Sequence, residues 1–217
     1  MTAHERLEPR ASVDLYWLPL GAGSGGRCVR GSGRLYEALA ATGRHRPRFD
    51  LYHSALIVQL DHHAYAIEMA PVWAVSDAQR GVSFEGPVGT PWLGRSRLFR
   101  YEVRLWSEGR IPDAAAAVDS PQRLSTNRAM AQRVVGLVPF CPVLTWGRDE
   151  RRTGEMWNSN SVTAWLLARS GHDTDALGPP TCGRAPGWAA GLTIAARDVD
   201  PCDGPKVSPT SGVAGGP

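Results

Sequence analysis

Four consecutive polar residues, Asn158 to Ser161, lead directly into an apolar segment that ends near Leu167. This pattern predicts a helix with Ser159 at its start. The first N–H groups of a helix have no partner within it, and the helix dipole is positive at that end, so a developing anion is favoured there. A hydroxyl in this position suits nucleophilic attack on a carbonyl, and Ser159 is therefore the candidate nucleophile.

A histidine far upstream supplies the base that such a nucleophile needs. The step Tyr52-His53-Ser54 opens a strongly apolar strand. An imidazole on a sheet that faces the helix would take the hydroxyl proton, and backbone N–H groups at the helix start would hold the oxyanion. A simpler interpretation is also open, in which the polar residues only cap the helix and His53 is a strand histidine bonded to a backbone carbonyl.

An acidic residue between apolar neighbours, Glu68, is the candidate third member of a triad that would orient His53. Its position depends on the register of the predicted hairpin. A three-residue turn over 61–63 places Glu68 and His53 on opposite faces of the sheet. A two-residue or four-residue connection places them on the same face. The sequence leaves both arrangements open.

The residues around Ser159 are further candidates for contact with a ligand. Asn158, Asn160 and Ser161 carry donors and acceptors at the helix start, and the large ring of Trp157 precedes them. These side chains would suit either a catalytic site or a site that only binds a ligand.

The order of these motifs resembles the circularly permuted branch of the papain-like superfamily, which includes lecithin–retinol-acyltransferase-like enzymes. That branch carries a histidine at the first strand of a hairpin and an Asn-Cys motif at a following helix. The resemblance covers residues 51–170 and places Ser159 where the family has its cysteine. It implies a groove between the helix and the His53 strand, and a nucleophile weaker than a thiol.

A second resemblance is to a bacterial family, without an assigned activity, that has an Asn-Ser-Asn-Thr motif before a Trp-containing helix. Three motifs carry it in the same order, namely His53-Ser54, Arg100-Tyr101-Glu102-Val103 and Asn158-Ser159-Asn160-Ser161. The serine of that motif implies that Ser159 is the usual residue there.

The elements that would position these residues follow from periodicity. Strands are predicted at Val13–Leu20, Leu51–Leu60, Ala64–Ala70 and Leu98–Trp106, and helices at Leu35–Ala41, after a Ser125 cap, and after Asn158. Consecutive strands and separate helices indicate an α+β fold, with a mostly antiparallel sheet and segregated helices in a permuted papain-like architecture.

The predicted domain organisation is simple. Residues 1–11 form a flexible N-terminus, 12–198 a single globular domain, and 199–217 a disordered tail rich in Pro, Gly and Ser.

Composition excludes several classes of function. The net charge is only +3, and the arginines are interspersed with acids, which disfavours a nucleic-acid surface. The four cysteines show neither a C-x-x-C pair nor a histidine at ligand spacing, so no metal site is predicted. Gly21, Gly23 and Gly26 match G-x-G-x-x-G, but no helix opens there, so no cofactor is expected. No apolar run reaches membrane-spanning length, and a bacterial, cytoplasmic location is the expectation.

Two functions compete at this stage. The first is an amide or ester hydrolase, or an acyltransferase, that uses Ser159 and His53. The second is a non-catalytic module that binds a small ligand or a peptide on the same fold. The sequence identifies neither the substrate nor the oligomeric state.

Overall fold

The computed structural model describes residues 11–20, 50–72, 81–111 and 113–198. The first ten residues, the Gly21–Gly26 loop, the predicted Leu35–Ala41 helix and the 199–217 tail lie outside the described residues. Strand β1 begins at Ala11, the last residue of the predicted flexible N-terminus, and this alanine is buried.

The described residues form a mostly antiparallel sheet of seven strands and three helices, as expected for an α+β fold. The strands are β1 (Ala11–Pro19), β2 (Asp50–Leu60), β3 (His63–Pro71), β4 (Val82–Pro87), β5 (Arg100–Ser107), β6 (Val118–Ser125) and β7 (Gly183–Arg184). The helices are α1 (Arg128–Leu137), α2 (Ser159–Ser170) and α3 (Trp188–Arg197).

The strand order is β4-β5-β3-β2-β1-β6, and the short β7 pairs in parallel with the start of β2. Strand β2 therefore lies near the middle of the sheet, in agreement with its apolar residues on both faces. Strands β4, β6 and β7 and helix α3 were not predicted. Strand β4 lies within residues 81–94, whose four glycines favour a loop, and β6 contains Pro121.

The β2–β3 hairpin closes through a two-residue turn. Leu60 pairs with His63, and Asp61 in the turn has a positive φ of 53°. Two-residue hairpin turns need this left-handed backbone, which aspartate tolerates. The turn sets the register Leu56↔Ile67 and decides which side chains of β3 share a face with those of β2.

The main core lies between the sheet and the three helices. Alternate strand residues fill it, among them Leu56 and Val58 of β2, and Tyr101 and Val103 of β5. Helix α2 is buried along almost its whole length, and its residues 164–168 are all apolar. Each fully buried leucine of this kind contributes about 1.5–3 kcal/mol relative to an exposed one.

Helices α2 and α3 pack backbone to backbone. A Cβ on Gly191 of α3 would lie 2.2 Å from the carbonyl oxygen of Ser161, so this position excludes a side chain. A smaller cluster around Leu18, Ala55 and Ile111 packs on the opposite face of the sheet.

Candidate functional site

The polar start of α2 is a complete helix cap. The Asn158 side chain accepts hydrogen bonds from the N–H groups of Asn160 (2.9 Å) and Ser161 (3.3 Å). In return, the Ser161 hydroxyl accepts one from the Asn158 N–H at 3.1 Å. This reciprocal arrangement is a capping box, and it satisfies donors that an open helix end would leave free.

Asn160 ties the helix to the sheet. Its Oδ1 accepts a hydrogen bond from the Ser54 hydroxyl at 3.0 Å, and its Nδ2 donates to the carbonyls of Tyr52 (3.0 Å) and Pro186 (2.9 Å). All three of these hydrogen bonds are buried. An amide fits this place because it can offer an acceptor and two donors at once.

The loop before α3 closes over the same network. The Asn158 Nδ2 donates to the Pro186 carbonyl at 2.8 Å, and the Ser161 hydroxyl donates to the Gly187 carbonyl at 2.7 Å. Gly187 has φ of 88°, and a Cβ there would lie 2.4 Å from Asn158 Oδ1, so the close approach requires glycine. The predicted binding residues Asn158, Asn160 and Ser161 thus come together, but their hydrogen bonds are made within the protein.

Trp157 does not line an open surface. Its side chain is buried in the main core. Its backbone pairs with the preceding loop, donating to Arg148 O at 2.8 Å and accepting from Gly147 N at 2.9 Å. Trp157 therefore contributes to the core just before α2, and its ring is not accessible to a ligand from outside.

Ser159 is the first residue of α2 and is 6% exposed. Its hydroxyl makes no hydrogen bond within the described part of the chain. The position at a helix N-terminus agrees with the prediction, while the burial restricts access to small groups.

His53 lies on the other face of the sheet from Ser159. Successive side chains of a strand point to opposite faces. Both neighbours of His53 face α2, Ser54 through its hydrogen bond to Asn160 and Tyr52 within the main core. The imidazole therefore points away from α2, on the side where its paired residue Leu18 packs in the smaller cluster. The structure does not bring the candidate nucleophile and base together, because the sheet separates them.

The environment of His53 also makes it a weak base. Its side chain is half-buried, and burial lowers its pKa to about 4, since the protonated ring would lose hydration. A base with this pKa is neutral at pH 7 but takes up protons poorly.

Glu68 shares a face with His53, as the two-residue turn requires. The register Leu56↔Ile67 sets Glu68 beside Ala55, two residues from His53 along β2. Glu68, however, forms an ion pair with Arg104, which lies directly opposite on β5. Among the described residues, Glu68 makes no hydrogen bond to His53. No contact therefore supports the predicted role of Glu68 in orienting the imidazole.

Arg104 is the centre of a buried ionic cluster that sequence reasoning missed. Its side chain is 1% exposed, and its Nε donates to Glu102 at 2.6 Å while Nη1 donates to Glu68. Burial raises the pKa of Glu68, and the Arg104 charge opposes that rise. The alternating pattern of Arg100-Tyr101-Glu102-Val103-Arg104 was the available signal, because its charged residues all point away from the main core.

A second missed feature is a set of exposed apolar side chains in two segments, one before β5 and one after α1. Trp92, Leu98 and Phe140 are 68%, 71% and 76% exposed. Phe99 and Val143 extend the group, and Arg95 and Arg97 lie exposed between its members in sequence. We call these seven residues the Trp92 surface.

The two segments that carry the Trp92 surface are neighbours. Val88 donates to Phe99 O at 2.8 Å, and Gly89 donates to Trp146 O at 2.9 Å. The first bond lies within the segment before β5, and the second joins that segment to the one after α1. Bulky apolar side chains that are this exposed on a folded domain are candidates for an interaction site.

The described residues include neither a metal-binding cluster nor a membrane-spanning helix. No group of three or more His, Cys, Asp or Glu side chains that could hold a metal occurs among the described residues. Cys141 is buried and burial raises its thiol pKa, whereas Cys182 is exposed. Of the helices in the described ranges, none has the length and apolar character to cross a bilayer.

Comparison of the chain with protein-family models, with curated proteins and with solved structures found no match.

Proposed function

We propose that this chain is a non-catalytic binding module that contacts its partner through the Trp92 surface. The observation that carries the proposal is the exposure of three bulky apolar side chains, Trp92, Leu98 and Phe140, in segments that also carry Arg95 and Arg97, which are exposed and form no ion pair with the described residues. Such side chains gain most from burial against a partner. The sheet and helices act as the rigid scaffold that presents them.

The polar start of α2 supports this proposal because its hydrogen-bonding groups are already paired within the protein. The groups that a ligand would need, on Asn158, Asn160 and Ser161, already bond to one another, to β2 and to the loop before α3. A ligand would have to replace these buried bonds, each of which is costly to leave unmade.

An anionic apolar dye, anilinonaphthalene sulfonate, tests the binding surface because its rings and sulfonate match apolar side chains beside arginines. Wild type should bind the dye in its folded state. Replacement of Trp92, Leu98 and Phe140 by alanine should reduce the fluorescence strongly without changing the circular dichroism. Equal fluorescence from the triple variant would place the dye elsewhere and contradict the proposal.

A serine-dependent hydrolase or acyltransferase on a permuted papain-like fold is the second candidate. One observation favours it, namely that the Ser159 hydroxyl lies at a helix N-terminus with no hydrogen bond within the described part of the chain. The positive end of the helix dipole would favour an oxyanion, although the Asn160 and Ser161 N–H groups already donate to Asn158. His53 cannot serve as the base from the opposite face, so another group would have to take the proton.

A fluorophosphonate probe with intact-mass detection separates the two candidates. The binding module predicts no adduct on wild type, Ser159→Ala or His53→Ala. An adduct on wild type that is absent from Ser159→Ala would establish an activated serine and contradict the non-catalytic proposal. In that case His53→Ala should keep the adduct, since His53 lies on the opposite face of the sheet.

A further inference from the structure

We infer that the partner of the Trp92 surface is a membrane surface rich in anionic lipids, on which the protein lies without spanning the bilayer. This inference rests on the proposed function and names the partner of that same surface. Three features of the described residues support it: the charge of the surface, the exposure of its side chains and the backbone that carries them.

The charge of the Trp92 surface is of one sign. Between Gly86 and Tyr101 the sequence contains three arginines and no acidic residue, and residues 138–147 contain no charged residue. Arg100 pairs with Glu85 at 2.9 Å, which leaves Arg95 and Arg97 exposed without an ion pair in the described residues. Two basic side chains of this kind are attracted to anionic headgroups at short range.

The apolar members have the residue types of an interfacial anchor. Tryptophan, with leucine and phenylalanine, enters the boundary between headgroups and acyl chains, where an indole N–H stays near water. Trp92, Leu98 and Phe140 are each more than two-thirds exposed, so they extend from the body of the protein. Side chains that extend in this way can enter a lipid layer without rearrangement of the fold.

The backbone under Trp92 and Leu98 is ordered but buries nothing. Two 3₁₀ turns, Pro91–Arg95 and Arg97–Phe99, contain no buried residue. Hydrogen bonds hold them, from Leu93 to Thr90 O at 3.1 Å and from Ser96 to Leu93 O at 2.9 Å. A segment that is fixed by its own backbone and contributes nothing to the core has its side chains available for an external surface.

Sedimentation with vesicles tests the inference on the 217-residue chain. Wild type should bind strongly to vesicles of phosphatidylcholine mixed with phosphatidylglycerol. It should bind much less to vesicles of phosphatidylcholine alone. Arg95→Glu/Arg97→Glu should lower the partition coefficient by roughly tenfold or more, since each arginine contributes about 1 kcal/mol near an anionic surface. Higher salt should weaken binding of wild type, because salt screens these charges.

The matched control is Arg110→Glu/Arg133→Glu, which makes the same charge change elsewhere. Arg110 follows the end of β5, whereas Arg95 and Arg97 precede its start, and Arg133 is exposed on α1. This control should bind like wild type. Equal loss in both double variants would mean that only net charge matters and would overturn the inference.

Lipids with brominated acyl chains test the depth of Trp92. Its fluorescence should be quenched when the protein binds, because bromine lies in the apolar layer. Trp92→Phe should keep most of the binding and lose most of the quenching, since the other described tryptophans are buried or half-buried. Unchanged quenching in Trp92→Phe would place a different part of the protein in the membrane.

The outcomes separate the inference from the proposed function. Dye binding that depends on the Trp92 surface, without binding to either vesicle type, would overturn the membrane partner and leave the binding module standing. A wild-type dimer that the Trp92, Leu98 and Phe140 triple variant converts to monomer would assign the surface to a second copy and also overturn it. A Ser159-dependent probe adduct would contradict the non-catalytic proposal itself, whatever the vesicles show.

Discussion

The two faces of the sheet hold their polar groups in different ways. On the face toward α2, the buried polar side chains are neutral, and Ser54, Asn160 and Ser161 satisfy each other and nearby backbone groups. On the opposite face they are ionic, with Arg104 between Glu68 and Glu102. A neutral network is stabilised by geometry alone, whereas an ionic one depends on charge balance and therefore on pH.

The same difference applies to the three residues predicted to form a triad, which lie in two different environments. Ser159 lies on the neutral side, and His53 and Glu68 lie on the ionic side. Adjacent residues of a strand face different surroundings, so a histidine next to a helix-facing serine is itself directed elsewhere.

The largest expected effect is on the ionic face. Arg104→Met should lower the free energy of unfolding by about 3–5 kcal/mol, because Glu68 and Glu102 would stay buried without the guanidinium between them. Denaturant unfolding at pH 7 measures this. Arg123→Met, which removes the half-exposed partner of Asp14, should cost clearly less. Similar losses in both variants would show that burial of the cluster adds nothing.

Acid should destabilise the protein through His53. The unfolded chain takes up this proton near pH 6.5 and the folded protein only near pH 4, so stability falls as the pH drops between these values. The loss is at most about 3 kcal/mol. His172, whose pKa burial also lowers, acts in the same direction, and the raised pKa of Glu68 acts in the opposite one.

Comparison of variants isolates the contribution of His53. His53→Gln should flatten the stability profile between pH 4 and 6.5 relative to wild type. Denaturant midpoints across this pH range measure the difference. A profile that is the same for His53→Gln and wild type would mean that His53 is hydrated in the folded protein.

The stability that the neutral face contributes should depend on the shape of its side chains and not on pH. Asn160→Ala should cost about 2–3 kcal/mol, since it removes three buried hydrogen bonds and leaves the Ser54 hydroxyl and the Tyr52 carbonyl unpaired. Asn160→Asp should cost at least as much at pH 7, because a carboxylate would face two carbonyl oxygens. A stable aspartate variant would contradict the donor assignment. Thermal and denaturant unfolding measure both variants.

The smallest effect is expected at a cap outside both networks. Asn127 caps α1 by accepting from Ala129 N (2.9 Å) and Met130 N (3.3 Å), in an exposed setting. Asn127→Ala should cost about 1 kcal/mol, the usual value for a cap. If Asn160→Ala costs no more than this, the start of α2 is an ordinary cap and its link to the sheet is energetically unimportant.

The sequence predicted the elements whose signals are local. The α+β class, the β2–β3 hairpin and the capped start of α2 are confirmed, since each rests on periodicity or capping within a short window. The predicted cap of α1 was wrong by two residues, because Ser125 ends β6 and accepts a hydrogen bond from the Asn127 N–H. Two capping residue types so close together cannot be ranked without the strand.

The long-range features could not be predicted from local patterns. The register that places Glu68 on the face of His53 depends on one turn residue, and both alternatives fit the sequence. The ionic cluster needed the pairing of β3 with β5, which are 28 residues apart between Pro71 and Arg100. Exposure of Trp92 was missed for a different reason, since the residue type alone assigns a tryptophan to the core.

The turn at Asp61 and His62 has a consequence for how this protein can vary. A surface turn is commonly the place where length changes are harmless. Here, one inserted residue would shift β3 by one position, so that Glu68 would enter the apolar core and Ile67 would replace it beside Arg104. An exposed loop of two residues is thus among the segments least tolerant of insertion, and length polymorphism should collect at other loops.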